Sequence, residues 1–297
     1  MIFISGMHRS GTTFVGKLLE SSRKFHCIHE PFNYQYGIQD IPSWYPKINS
    51  LNKKNSTDLA RSIQDVFAYQ FKFKAPKEVN EPFYKFLFRK IVKSKGNIDL
   101  VRFNLFRRSR KPIIKDPFIV LSAHYILNKY KETKFIFIVR HPVPLYKSMI
   151  RMNWSFDMEG FLAVNDIPEL KIKWDATNKN EVEAFCILWN YINQEILRLS
   201  ISNKDQVLLI LHEKLSLNPD LTAKTLFSFL DESVNSRVFD FVNDKMRSET
   251  INPKGSNQHV FSRNSAQLAT KWRNENIPNK DIILNMCSAL INEFKLE

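Results

Sequence analysis

The sequence predicts a single α/β domain with a central, open and mainly parallel sheet flanked by helices, and three observations predict it. The first 17 residues pass from a short apolar run through glycines into apolar positions at helical spacing. Residues 134–139, KFIFIV, are apolar after their first position, as expected of a central parallel strand. With 297 residues and 43% hydrophobic content, the chain can bury one large core.

The amino-terminal stretch predicts a strand over 2–4, a glycine turn and a helix that includes Phe14. Three of the chain's seven glycines lie within it. A glycine turn between a strand and a helix presents backbone N–H groups and a helix N-terminus to an anion. We therefore expect this turn to bind a phosphate-like group.

Gly6 and Gly11 have the spacing of the nucleotide-triphosphate loop G-x-x-x-x-G-K-[ST], but Thr12 stands where that loop has its lysine. The cation lies inside the loop instead, at Arg9. A P-loop kinase that uses ATP and Mg²⁺ is the alternative enzyme, and the absent lysine disfavours it. Hydroxyls, amides and one arginine suit a monophosphate ester better.

A second strand is predicted over 25–28, and Pro31 stops it so that Glu30 lies at its carboxyl end. Ligands gather at this edge of open parallel sheets, so Glu30 is a candidate general base. A glutamate on a surface loop is the alternative, and His29 is the competing base. His26 and His29 diverge on a strand and lack a further ligand, so we predict no metal site.

Residues 34–112 predict an insertion that shapes the acceptor side of the site. Residues 34–48 are predicted as a loop, with helices near 58–73 and 81–93. This block matches no motif.

A third strand is predicted over 112–115, and it ends on Lys115 and Asp116, the latter a helix-capping residue. A helix should follow to about Tyr130. The strand over 134–139 leads directly into Arg140, and Ser148 follows eight residues later inside a helix opened by prolines. Because arginine makes bidentate contacts with phosphate, this pair is a second anion-binding candidate.

The rest of the chain is predicted to be mainly core. Helices are predicted over 180–199, 218–230 and 280–294, with a strand over 206–211. Residues 212–214, His-Glu-Lys, close that strand and are given no role.

Residues 9–13 resemble the 5′-phosphosulfate-binding loop of sulfotransferases that use 3′-phosphoadenosine-5′-phosphosulfate (PAPS). The pair Arg140 and Ser148 is similar to the residues that hold the 3′-phosphate in that family. The resemblance implies a fold like that of nucleotide kinases, PAPS as co-substrate, adenosine 3′,5′-bisphosphate (PAP) as product, and no metal. The cofactor-binding residues that it implies are Arg9, Ser10, Gly11, Thr12, Thr13, Arg140, Ser148 and Arg263.

The same resemblance implies roles in catalysis. Glu30 matches the catalytic glutamate of carbohydrate and tyrosyl-protein sulfotransferases, and Lys115 the lysine of a bacterial Lys-Asp-Pro motif. Arg9 would then meet the charge that develops on the leaving group, and Lys115 would neutralise the sulfonate. Residues 255–273 would form a loop over the cofactor through Arg263, while Trp272 anchors a helix or stacks on adenine. The implied acceptor is a hydroxyl or amine, carbohydrate-like by preference.

The formal net charge of +14 indicates anionic partners. Nucleic acid is not favoured, because Phe83 and Phe86 fall at helical spacing and predict an amphipathic helix. A cationic binding module without catalysis remains the third possibility. It leaves Arg9, Glu30 and Arg140 unexplained.

No stretch approaches the roughly 20 apolar residues of a membrane span. Because the chain begins directly on the first strand, we expect no signal peptide or anchor. Cys27, Cys186 and Cys287 do not suggest a disulfide framework, so a cytoplasmic enzyme is expected. The sequence leaves the oligomeric state open.

Overall fold

The computed structural model describes residues 1–48, 53–74, 109–246 and 265–296. Five strands form one sheet in the order β2-β3-β1-β4-β5, and every neighbouring pair is parallel. This confirms the predicted α/β architecture. The strands are β1 (Ile2–Gly6), β2 (Phe25–His29), β3 (Lys111–Lys115), β4 (Lys134–Val139) and β5 (Val207–Leu211).

Helices surround the sheet, and 3₁₀ turns at Ile119–Ser122 and Trp272–Asn274 complete the described elements. The α-helices are α1 (Thr12–Ser21), α2 (Lys53–Ala68), α3 (Ala123–Lys129), α4 (Pro142–Ile150), α5 (Met158–Asn165), α6 (Pro168–Asp175), α7 (Glu181–Ser202), α8 (His212–Leu217), α9 (Pro219–Phe229), α10 (Ser236–Met246), α11 (Ser265–Lys271) and α12 (Lys280–Phe294).

Two hydrophobic layers cover the two faces of the sheet. Phe3 and Ile4 are fully buried on successive positions of β1, so their side chains enter opposite layers. Phe3 stacks on Phe135 at 4.8 Å between ring centroids, in the layer that holds α4, α7 and α12. Ile4 lies with residues of α1, α9 and α10 in the other layer. A strand buried on both faces explains the continuous apolar run predicted for β4.

The connections leaving β1 and β4 turn in opposite directions. The chain passes from β1 toward β2 on one side of the sheet, and from β4 to β5 on the other. In open α/β sheets, ligands bind beside the carboxyl ends of such neighbouring strands. The loops after β1 and β4 therefore flank the expected crevice.

Most predicted elements agree with the structure within a few residues. The helix predicted over 58–73 runs instead over Lys53–Ala68. Helices α5, α6, α8 and α10 were not predicted. The helix predicted over 81–93 lies outside the described residues. Among the helices that are described, none has the length and apolarity required to cross a membrane.

Candidate active site

A cavity of about 1040 Å³ opens at the carboxyl edge of the sheet, and all five strands contribute to it. The lining residue from each strand stands at the strand's last position or follows it within three residues. In spatial order from β2 to β5, the wall contains Glu30, Lys115, Arg9, Arg140 and His212.

The loop between β1 and α1 is held by two glycines whose backbone other residues rarely adopt. Gly6 has φ +140°, and a Cβ there would lie 2.3 Å from the carbonyl oxygen of Ile138. Gly11 has φ +105°. Within the described part of the chain, the amides of Gly11, Thr12 and Thr13 have no hydrogen-bond partner. The loop thus presents N–H donors at the N-terminus of a ten-residue helix, which is a suitable geometry for an anion.

The two predicted anion-binding motifs meet in the structure. Arg9 Nε donates a hydrogen bond to Ser148 Oγ at 3.1 Å, and Arg140 Nη1 donates to the carbonyl oxygen of Arg9 at 2.9 Å. Arg9 itself has φ +69°. Residues separated by more than 130 positions in the chain therefore form one basic group at the β1–β4 crevice.

Helices α7 and α8 hold the backbone at Arg140 and His141. Glu213 accepts a hydrogen bond from the backbone N–H of His141 at 3.0 Å, and Trp189 Nε1 donates to the carbonyl oxygen of Arg140 at 3.1 Å. Burial raises the pKa of Glu213 despite the neighbouring arginines. His212 lines the cavity, and burial keeps its pKa well below the usual range, so it is neutral. His212 and Glu213 directly follow β5, and this position at a strand end could have identified them from the sequence.

Glu30 and Lys115 form an ion pair at the ends of β2 and β3. The lysine side chain is 4% exposed and the glutamate 32%, so the pair is only partly screened by water. Asn33 Nδ2 donates to the second carboxylate oxygen at 2.8 Å. Burial by itself raises the pKa of Glu30, but the Lys115 charge and these hydrogen bonds outweigh it and lower the pKa. The carboxylate is therefore ionised at neutral pH.

The backbone fixes Glu30 in an uncommon conformation. Its φ is +50°, and its N–H donates to the carbonyl oxygen of Lys115 at 2.7 Å. This conformation is uncommon for a residue other than glycine. Side chains of successive residues point to opposite faces only within a strand. Because β2 ends at His29, this rule does not fix the direction of the Glu30 side chain relative to that of His29.

Asp116 does not cap a helix as predicted, because the 3₁₀ turn Ile119–Ser122 has Phe118 at its N-cap and no side-chain cap. Its Oδ1 accepts from the N–H of Phe118 at 2.8 Å, and its Oδ2 accepts from the N–H of Phe32 at 2.5 Å. Burial raises its pKa to about 7, with the charge of Glu30 adding to the effect. Asp116 thus joins the loops that follow β2 and β3 and so positions Glu30.

A sequence model described as "Sulfotransferase family" matches residues 2–236. This chain belongs to the sulfotransferase family. Comparison with curated proteins found no match.

Several solved structures of other sulfotransferases are similar to this sulfotransferase. The sulfotransferase domain of the curacin biosynthetic pathway is 15% identical, with a TM-score of 0.50, and the match covers 100% of this chain and 98% of that one. The sulfotransferase domain of the Synechococcus PCC 7002 olefin synthase is 17% identical, with coverages of 98% and 94% and a TM-score of 0.46. Mouse sulfotransferase SULT7A1 complexed with PAP is 14% identical, with coverages of 99% and 84% and a TM-score of 0.45.

Aromatic side chains wall the part of the sulfotransferase cavity beyond Arg9. Trp44 packs on Phe118 at 4.6 Å between ring centroids, and Tyr45 packs on Phe118 at 5.3 Å. Trp154 is 42% exposed, and the Arg9 guanidinium lies 5.7 Å from its ring centre. These aromatic residues were not predicted as a group from the sequence, because they come from three separate loops.

The carboxy-terminal part of the sulfotransferase contributes Lys271 and Trp272 to the cavity. The Trp272 ring is buried and packs on His141 at 4.1 Å between centroids. Arg263, the predicted cofactor-covering residue, lies outside the described residues. In the described ranges, no group of three or more His, Cys, Asp or Glu side chains could hold a metal ion.

Proposed function

We propose that this sulfotransferase moves the sulfonate group of PAPS to a hydroxyl or amine of a carbohydrate-like acceptor, with Glu30 as general base. The observation that carries the proposal is the placement of the Arg9, Ser148 and Arg140 cluster and the Glu30–Lys115 pair in one cavity. PAPS supplies an activated sulfonate on a good leaving group. The residues of this chain are proposed to bind and orient PAPS, to stabilise the charge on the leaving group and to accept the proton of the acceptor.

The donor set suits a nucleotide with two phosphorylated ends. The amides of Gly11, Thr12 and Thr13 and the threonine hydroxyls are assigned to the 5′-phosphosulfate, and Arg140 with Ser148 to the 3′-phosphate. Ser10 was predicted to join them, but it is fully buried, does not line the cavity, and donates its N–H to the carbonyl oxygen of Met7 at 3.1 Å. Arg263 is proposed as a further contact with the 3′-phosphate. Hydrogen-bond donors that are fixed before binding stabilise developing charge without reorganisation, and this stabilisation is often the greatest single contribution to the rate. As in phosphoryl transfer, the chain's main work is positioning and charge neutralisation.

Glu30 is assigned the proton of the acceptor. As the acceptor oxygen forms its bond to sulfur, its proton passes to the carboxylate, and the sulfur–oxygen bond to the 5′-phosphate breaks with its electrons left on PAP. Arg9 stabilises the charge on that leaving oxygen. Lys115 keeps Glu30 ionised through the ion pair and adds positive charge beside the transferring group.

The aromatic wall favours a carbohydrate-like acceptor. Trp44 and Trp154 line the cavity, and so do Gln35 and Asn153, whose side chains carry amide groups. Aromatic faces combined with a few polar groups that fix orientation suit a molecule with apolar ring faces and hydroxyl edges.

Calorimetric titration with PAP tests the cofactor assignment. We expect tight binding that is the same with and without Mg²⁺, because arginine, lysine and backbone donors provide the positive charge. Binding of ATP that requires Mg²⁺, with no binding of PAP, would contradict the proposal. A mass-spectrometric screen for the addition of one sulfonate group, using PAPS and a panel of saccharides, lipids and phenols, would then identify the acceptor class.

A further inference from the structure

His8 stands one residue before Arg9 in the loop after β1, lines the cavity and keeps part of its surface exposed. Its ring lies between two aromatic neighbours, with centroid distances of 5.5 Å to Trp154 and 6.2 Å to Phe118. The imidazole is thus fixed by packing at the boundary between the basic loop and the aromatic wall. The proposed function gives this residue no role.

The hydroxyl of Tyr45 decides which ring nitrogen of His8 carries the proton. The backbone N–H of His8 donates to the Tyr45 hydroxyl at 3.0 Å, so that oxygen already acts as an acceptor. His8 Nδ1 lies 2.5 Å from the same oxygen. Tyr45 is fully buried, and His8 Nδ1 is the only other partner that the described residues offer its O–H group. Since buried hydroxyls donate their proton to an acceptor, Nδ1 accepts, and the neutral ring carries its hydrogen on Nε2.

The Nε2–H group is left for a ligand. In the described part of the chain no residue accepts from it, while His8 belongs to the cavity wall. Burial and the neighbouring Arg9 lower the pKa of His8 to about 4, although the charge of Glu30 opposes the shift. At neutral pH the residue is an uncharged donor with one defined direction.

We propose that the Nε2–H of His8 donates a hydrogen bond to a sulfonate oxygen of PAPS, and that Tyr45 is the positioning residue that fixes the donating tautomer. The inference rests on the proposed function. Arg9 is assigned to the leaving oxygen and Glu30 to the attacking one, so the sulfonate passes between them. His8 adjoins Arg9 in the chain and lines the same cavity as Glu30, and this shared position is the reason to place its ring beside that path.

A comparison of PAPS and PAP binding tests this contact without an acceptor, because the two nucleotides differ only in the sulfonate. The variants His8→Asn and His8→Gln form a matched pair. Asparagine keeps an acceptor near the position of Nδ1 but has no donor at the position of Nε2, whereas the glutamine amide reaches that position.

By calorimetry we expect His8→Asn to bind PAP as the wild type does and PAPS about tenfold more weakly, since hydrogen bonds to charged groups are among the stronger ones. His8→Gln should recover most of the loss. Tyr45→Phe should show an intermediate loss for PAPS alone, because the ring is then free to adopt the other tautomer. Equal affinities of the wild type and His8→Asn for PAPS, or parallel losses for both nucleotides, would overturn the inference.

Nitrogen-15 NMR of histidine-labelled wild-type protein provides a measurement that needs no variant. We expect the His8 signals to show an unprotonated Nδ1 and a protonated Nε2, and PAPS, but not PAP, to shift the Nε2 signal. A protonated Nδ1 would overturn the inference while leaving the proposed function intact. Wild-type protein that binds neither nucleotide would instead overturn the proposed function, and this inference with it.

Discussion

At the residue scale, the charge state of Glu30 is set by two opposing effects. Burial favours the protonated acid, whereas the Lys115 ammonium and the hydrogen bonds favour the carboxylate, and the second group prevails. A base must be unprotonated before the reaction and close to the acceptor. Lys115 keeps the carboxylate unprotonated. The position of Glu30 is fixed by its left-handed backbone and by the hydrogen bond from its N–H to the carbonyl oxygen of Lys115 in β3.

Glu30→Gln should lower kcat by roughly 10²–10⁴-fold, because the glutamine amide cannot take up the proton of the acceptor. The affinity for PAP should remain close to that of the wild type, since no proposed cofactor contact involves this residue. Steady-state kinetics and PAP calorimetry measure the two effects separately.

The double variant Glu30→Gln/Lys115→Met is the control for stability. The single variant leaves a buried ammonium without its partner, and the double variant removes it. Stability should therefore recover without recovery of turnover. Near-normal turnover of Glu30→Gln would show that another group is the base, with His29 the first to test.

The pH profile of Lys115→Met tests the electrostatic argument. In the wild type the working carboxylate exists above its lowered pKa, so kcat/KM should fall only as the pH drops through a value below the usual glutamate range. Without Lys115, only the weaker effects of the Asn33 hydrogen bond and the His29 charge oppose burial, so the pKa of Glu30 rises and the acid limb should move to higher pH. If the acid limb does not move, Lys115 does not control the ionisation of Glu30.

Several site residues could be predicted at this scale, and others could not. Arg9, Glu30, Lys115 and Arg140 could be, because each stands at or just after the end of a strand and strand ends share one edge of the sheet. The contact of His8 with Tyr45 joins residues 37 positions apart through an irregular loop, and no spacing rule encodes it.

At the scale of elements, regular patterns were predictable and helix ends were less so. The predicted bounds of β4 and α12 agree with the structure, because continuous apolar runs or sustained helical periodicity define them. Helix α2 ends at Ala68, five residues before the predicted end, in a Schellman motif. There Tyr69, with φ +56°, takes the position that usually holds glycine, and the N–H of Gln70 donates to the carbonyl oxygen of Asp65. Helix α8 has only six residues, too few to show a period.

The contact between the β1–α1 loop and α8 yields a prediction about Gly11. A Cβ at this position would lie 2.9 Å from His212 Cδ2, and the φ of +105° is strained for any other residue. We expect Gly11→Ala to lower the free energy of unfolding by about 1–3 kcal/mol and to weaken PAP binding, because the loop amides shift.

Denaturant unfolding monitors the first effect and calorimetry the second. Adding His212→Ala should relieve the steric part of the loss and leave the backbone part. The exposed substitution Lys224→Ala on α9 should stay within about 0.5 kcal/mol of the wild type and serves as the control. A Gly11→Ala protein as stable as this control would show that the tight approach is unimportant.

At the scale of the whole molecule, part of the formal charge of +14 lies at the cavity. The cavity wall carries seven basic side chains and two carboxylates among the described residues. The basic ones are Arg9, Lys115, Arg140, Lys147, Arg151, Lys245 and Lys271. A concave site with net positive charge focuses the field and attracts a multiply charged anion.

This field makes nucleotide affinity sensitive to salt. The Debye length shortens from about 10 Å at 0.1 M salt to about 3 Å at 1 M, so screening reaches the rim charges of the cavity before the buried ones. We expect the Kd for PAP to rise at least several-fold over that range in calorimetric titrations. The Kd for uncharged adenosine should change little, because it does not sense the field.

Arg140→Ala and Arg151→Ala separate the direct contacts from the general field. Arg140 belongs to the cluster that includes Arg9, so its loss should weaken PAP binding strongly at every salt concentration. Arg151 lies exposed on the cavity wall after α4, so its loss should weaken binding mainly at low salt. If the two variants gave parallel, purely salt-dependent losses, the Arg140 cluster would be only one part of a diffuse positive surface. The assignment of a specific 3′-phosphate site would then have to be withdrawn.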